Sequence, residues 1–216
     1  MARHFFIRRW LPLCALLLAQ PATAGSVSGS VTSPAGAAIA GAVVFVQAPA
    51  PPPAGRHPTA VVDQVQKTFV PGILPIVVGT YVRFPNHDQI QHHVYSFSAT
   101  KTFELPLYKG EDAAPVLFDK IGVVKIGCNI HDWMSGIILV LPTPHFTVTD
   151  ASGKYVLEDL PEGPYTLVVW HAQSNVKPDT TARQVQVGND VANLNFTLTL
   201  APVRTRPAVH GSRSEP

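Results

Sequence analysis

From residue 26 onward the chain runs in short apolar–polar alternations that stop at Gly, Pro, Asn or Asp. Successive side chains on a strand point to opposite faces, so a period of two over four to eight residues marks a half-buried strand. The pattern predicts strands at Ser26–Thr32, Ala42–Gln47, Val61–Phe69, Leu74–Val78, Tyr81–Phe84, His92–Phe97, Thr102–Leu105, Val116–Phe118, Val123–Cys128 and Gly136–Leu141. It continues with Phe146–Thr149, Tyr155–Glu158, Tyr165–Trp170, Gln184–Val187 and Leu194–Leu200. Helical periodicity is almost absent, so the expected fold is all-β, a sandwich or a pair of them. Asp150-Ala-Ser-Gly153 reads as a hairpin turn and Pro161-Glu-Gly163 as a second turn. Phe69, Phe84, Phe97 and Phe118 read as sandwich core.

The first residues break this pattern. Arg3, Arg8 and Arg9 precede an apolar run from Leu11 to Ala19, and Ala22-Thr23-Ala24 follows as a cleavage site. That is the layout of a secretory signal peptide over 1–24, too short in its apolar part to span a bilayer. No later stretch is long enough to span one either, so the mature chain is expected without a transmembrane segment, exported to the periplasm or secreted. Residues 49–58 form a Pro-rich linker and 201–216 a polar tail without periodicity, expected to be disordered.

Composition narrows the chemistry. Of 216 residues 46% are hydrophobic and 14% charged, with a formal charge of +2. Removing the three leader arginines leaves 13 basic residues against 14 acidic ones. Neither balance provides an electrostatic footprint for nucleic acid. The mature chain keeps one Cys, Cys128, and one Met, Met134, which rules out an internal disulfide and a four-thiolate metal site.

These two sulfur residues lie in one segment, Cys128-Asn-Ile-His131-Asp-Trp-Met134. A thiolate, an imidazole and a thioether on one short loop between apolar strands form a soft donor set suited to copper. Two His and one Cys with a weak axial Met make a blue-copper site, so a second His has to come from elsewhere. The segment from Arg83 to Val94 offers His87, His92 and His93. His87 follows the turn formers Pro85-Asn86, and His92 and His93 point to opposite faces, so one of the pair at most faces the metal. His57, His145, His171 and His210 lack partner spacing. Zinc would leave Met134 without a use. A Cys128–His131 nucleophile lacks an oxyanion arrangement, so no catalysis is implied. Asn195-Phe-Thr197 is a glycosylation sequon of a kind common by chance.

Residues 59–142 resemble the cupredoxins, the amicyanin and plastocyanin-like blue-copper family. His92-His93-Val94 is similar to the strand start that carries the first His ligand, and Cys-x-x-His-x-x-Met looks like the short ligand loop of amicyanin. Asn86 matches the family Asn six residues before that His. The resemblance implies a Greek-key β-sandwich holding one type 1 copper ion. It implies His92, Cys128 and His131 as strong ligands and Met134 as the axial one, with the Asn86 side chain bonding across the site. Ile130 and Asp132 stand where amicyanin has Pro, and His93 where Asn is common. Asp132 is therefore expected to favour protonation of His131 and make the potential pH-dependent. Trp133 and Ile130 are expected to form an apolar docking patch.

The flanks resemble the carboxypeptidase regulatory-like, transthyretin-like sandwiches through Val31-Thr-Ser-Pro-Ala-Gly36, Gly41–Val46, Thr149–Leu157 and Leu160–Tyr165. The expected organisation is that second, immunoglobulin-like sandwich over 25–48 and 143–200, interrupted by the copper domain over 59–142. The implied function is one-electron transfer between redox partners such as a c-type cytochrome or a periplasmic dehydrogenase. The alternative is periplasmic copper storage, delivery or sensing.

Overall fold

The computed structural model describes residues 24–48, 57–110, 113–188 and 190–202. All of the expected signal peptide except Ala24, most of the Pro-rich linker, nearly all of the tail, and His210 lie outside them.

Among the described residues the chain is all β, with one 3-10 turn at Pro178–Thr181 and no α-helix. The strands are β1 (Ala24–Thr32), β2 (Val43–Val46), β3 (Thr59–Val61), β4 (Asp63–Val65), β5 (Thr68–Val70) and β6 (Ile73–Val77). Next come β7 (Thr80–Arg83), β8 (His92–Ser98), β9 (Lys101–Tyr108), β10 (Val116–Phe118), β11 (Gly122–Gly127) and β12 (Ser135–Leu141). The last are β13 (Phe146–Val148), β14 (Lys154–Pro161), β15 (Gly163–Trp170), β16 (Arg183–Val187) and β17 (Phe196–Thr197).

These strands form four stacked sheets, in the orders β14-β1-β17, β13-β2-β15-β16, β6-β12-β11-β8-β9 and β10-β7-β3, plus the hairpin β4-β5. The first two sheets use residues 24–46 and 146–197, and the other two use residues 59–141. Three apolar layers fill the spaces. Val27, Val44, Leu160, Leu167 and Phe196 lie in the first. Val43, Phe45, Leu139, Leu141 and Val168 lie in the middle one. Phe69, Phe84, Val94, Phe118, Ile126 and Ile138 lie in the third.

The middle layer explains two runs that lack alternation. Every residue of β2, Val-Val-Phe-Val, is buried. Val44 and Val46 face the first layer, while Val43 and Phe45 face the middle one. Strand β12 does the same, with Ile138 and Val140 on one side and Leu139 and Leu141 on the other. A strand covered on both faces needs continuous apolar residues. Each fully buried Val, Leu, Ile or Phe contributes about 1.5–3 kcal/mol.

Four expectations change. Val61–Phe69 is not one strand. It breaks into the end of β3 and the β4-β5 hairpin, whose two-residue turn has Gln66 and Lys67 at φ 53° and 58°. Such left-handed pairs suit a tight hairpin but favour Asn or Gly, so polar residues there gave no turn signal. The Asp150 turn forms, with the Asp150 carboxylate accepting from the Ser152 and Lys154 N–H groups. It does not make a two-stranded hairpin, because β13 and β14 part into different sheets; the Pro161–Gly163 turn separates β14 from β15 in the same way. Leu194–Leu200 shortens to β17, a two-residue parallel partner of β1. Phe97 is 78% exposed. Val94 fixes the inward phase of β8, so Tyr95 and Phe97 share the outward face, their ring centroids 5.0 Å apart.

Candidate metal centre

The site forms where two loops meet at one end of the third and fourth sheets. One loop, 84–91, leads into β8. The other, 128–134, joins β11 to β12, which pair antiparallel from Gly122↔Val140 to Gly127↔Ser135. The second loop is closed by its own backbone. Cys128 N–H donates to Met134 O at 3.1 Å, and Met134 N–H donates to His131 O at 2.9 Å. Cys128 and Met134 are buried in the third core layer, while Ile130 and Trp133 are 50% and 67% exposed. His131 lies between these extremes, its ring 5.4 Å from that of Trp133.

Strand β8 begins at His92, opposite Tyr108. The register shifts before Val94, which faces Leu105. Two residues of β9, Pro106 and Leu107, thus oppose one of β8 in a bulge that accommodates a proline unable to donate to the ladder. His92 points into the sandwich and is fully buried. Its neighbour His93 turns to the outer face and meets Glu104, Nε2 to Oε1, at 2.8 Å.

The structure brings His92, Cys128 and His131 together. Their donor atoms lie within 4.8 Å of one another. Cys128 Sγ is 3.7 Å from His92 Nδ1 and 3.7 Å from His131 Nδ1. Thiolate and imidazole bonds to a metal run at about 2.3 and 2.0 Å, and a trigonal angle between them separates S from N by about 3.7 Å. The two sulfur–nitrogen distances are those that a trigonal copper or zinc site built from these ligands would have.

Asn86 is buried, but its bonds differ from the expected tie across the site. Its Nδ2 donates to Ile90 O at 2.9 Å and Tyr108 O at 3.0 Å, and its Oδ1 accepts from Asp88 N–H at 3.0 Å. It fixes the loop that carries His92 and makes no side-chain bond to the Cys128 loop. Gln64 supports the same loop from below, with Nε2 donating to Phe84 O at 3.1 Å and Pro85 O at 3.2 Å. The sequence pattern passed over Asp88. Its Oδ2 lies 2.7 Å from His92 Nε2, and its two oxygens accept from the Gln66 and Lys67 N–H groups at 2.6 and 2.7 Å. Only its place four residues before His92 in a turn-rich loop could have pointed to it.

Electrostatics follow the geometry. Burial pushes the Asp88 carboxyl up, but the Lys67 N–H, the His92 ring and the Gln66 N–H outweigh it and hold the group below its ordinary value. Burial lowers the His131 imidazole, as do the nearby His92 and Lys67 charges, and Asp88 acts the other way. Asp132 is exposed, and the carboxylate that raises the His131 imidazole is that of Asp88.

The remaining histidines lie elsewhere. His87 Nδ1 sits 2.8 Å from both Asp63 oxygens on the surface. His57 Nδ1 meets Gly79 O at 2.8 Å. His171 is buried in the first two sheets' region and accepts from Gln173 N–H at 3.1 Å. No other group of three His, Cys, Asp or Glu donors converges among the described residues.

The chain is similar to solved cupredoxins. A purple cupredoxin from Nitrosopumilus maritimus is 26% identical over 39% of this chain and 99% of that one, with a TM-score of 0.34. A methionine-to-glutamine mutant of amicyanin in its Cu(I) form is 23% identical over 38% of this chain and 82% of that one, at 0.36. A copper-containing nitrite reductase from Thermus scotoductus is 28% identical over 45% of this chain, at 0.36; the match spans a quarter of the reductase. No protein-family model and no curated protein matches the chain. At such low TM-scores the weight rests on the donor geometry.

Proposed function

We propose that this chain is an exported protein that binds one copper ion in a type 1 blue site and carries single electrons between redox partners. The observation that carries the reading is the convergence of His92 Nδ1, Cys128 Sγ and His131 Nδ1 within 4.8 Å, with Met134 buried on the same loop. One thiolate, two imidazoles and a thioether select copper over harder ions. Bound there, copper supplies a Cu(II)/Cu(I) couple.

The chain's own work is to keep these donors in place in both oxidation states. The backbone bonds between Cys128 and Met134 and between Met134 and His131 stiffen one loop. Asn86 and Gln64 stiffen the other. His131, with exposed Trp133 and Ile130 beside it, offers a partner the shortest approach to the metal. A c-type cytochrome or a periplasmic dehydrogenase is the partner class we assign. This reading needs no enzymatic step. Among the described residues no helix is long and apolar enough to cross a membrane. In the same reading, 59–142 is a cupredoxin-like domain inserted into a carboxypeptidase regulatory-like sandwich of 25–48 and 143–200 that serves attachment or partner binding.

The test is to add Cu(II) to the purified mature protein and record its visible spectrum. An intense blue thiolate-to-copper band, reversible one-electron voltammetry and slow loss of copper to a chelator are expected. No band overturns the copper reading, and rapid loss to the chelator replaces electron transfer with copper delivery.

A further inference from the structure

We propose that Asp88 is a positioning residue for His92, selecting the ring nitrogen that faces the metal and strengthening it as a donor. The proposal rests on the copper reading above and deepens it. His92 is fully buried, with Nδ1 towards Cys128 and Nε2 2.7 Å from Asp88 Oδ2. A neutral imidazole donates from one nitrogen and accepts at the other. A carboxylate at Nε2 can only accept, so the proton resides there and Nδ1 presents its lone pair to the site. Held in that orientation by the carboxylate, Nδ1 is a better donor to a metal, as outer partners make metal-bound His. A negative group one ring away favours Cu(II), the more highly charged state, and lowers the potential.

Asp88 has a second task. The same two oxygens accept from Gln66 and Lys67 N–H, which sit at positive φ in the β4-β5 turn. One side chain thus joins a backbone turn to the buried imidazole. Asn86 Oδ1 completes the arrangement by holding the Asp88 N–H. Losing Asp88 would disturb both turn and ring, so the test has to separate them.

The separating change is Gln66→Asn with Lys67→Gly, a residue pair that forms this turn without help. Asp88→Ala, and the milder Asp88→Asn should the first not fold, are compared with Asp88 proteins carrying the same turn pair. With the turn secured, Cu(II) affinity is expected to fall about 10- to 100-fold. Cu(I) affinity should fall less, so the potential rises. In metal-free protein, long-range nitrogen–proton NMR should show His92 with its proton on Nε2, and a tautomer mixture once Asp88 is removed. Unchanged affinity and potential in the turn-secured variants overturn the proposal, as does a His92 proton on Nδ1 in the parent. If the parent takes up no copper, the copper reading fails and the metal-free tautomer decides Asp88 alone. A mixture on its removal supports the positioning role, and an unaltered ring overturns it.

Discussion

The two halves of the stack are built from the same kind of strand but bury different chemistry. The sheets made from 24–46 and 146–197 enclose Val27, Val31, Leu157, Leu160, Leu167 and Phe196. A polar side chain buried there, Thr149, is fully used, donating to Ile39 O at 2.7 Å and accepting from Ala42 N–H at 2.9 Å. The sheets made from 59–141 bury Gln64, Asn86, His92 and Ser96 as well as Cys128 and Met134. Burying a polar group without a partner costs several kcal/mol on alkane-like scales and about 1–3 in proteins. In one half Thr149 closes a turn, and in the other His92, Cys128 and His131 bring three donor atoms together. Position in a core is a weak clue to function, whereas unspent donor capacity inside a core is a strong one.

The contrast can be attacked from both sides. Cys128→Ser should have the largest effect, removing the thiolate-to-copper band entirely while the circular dichroism of the strands stays. A band that survives would mean Cys128 is not a ligand. Leu160→Ala, deep in the first layer, should cost about 2–5 kcal/mol in denaturant unfolding. It should leave the band's wavelength alone in the folded protein; a shifted band would show that the two halves share one site-setting core. Thr149→Val removes a partner of Ala42 N–H and should cost about 1–3 kcal/mol, again with an unaltered spectrum.

The smallest effect concerns pH. Burial holds the His171 imidazole below its ordinary value, although a backbone bond to Ala40 works against it. The unfolded chain then binds more protons than the folded one. The contribution is complete above about pH 6.5 and is lost as pH falls through the lower folded value. The urea midpoint should therefore drop on going from about pH 7.5 to 5, and His171→Gln should reduce the drop. An equal drop in the variant would remove His171 from the account.

Reading strands from the chain worked where one face was wet and one dry. It also worked for β2 and β12, whose continuous apolar runs were bounded by turn formers. It failed at Val61–Phe69, where Gln66 and Lys67 adopt a conformation their side chains do not advertise. It failed in another way at Phe97, where alternation was present but its phase was not. A one-residue error in phase exchanges the two faces of a strand. The same ambiguity separated His92 from His93 only through a family resemblance. In the structure it is settled by Val94, buried beside His92's face, and by Glu104 on the other.

What the sequence determined by itself is local. The period of two made the chain all-β, and Cys128, His131 and Met134 were confined to one loop by spacing alone. What only the tertiary structure decided is everything that joins distant segments. This includes the 3.7 Å approach of His92 to Cys128, the turn of Asn86 towards Tyr108 and the reach of Asp88 to Gln66, Lys67 and His92. The reason is that periodicity follows from the geometry of one backbone. A hydrogen bond between loops depends instead on how four sheets stack, and that is set by the summed burial of residues far from either partner.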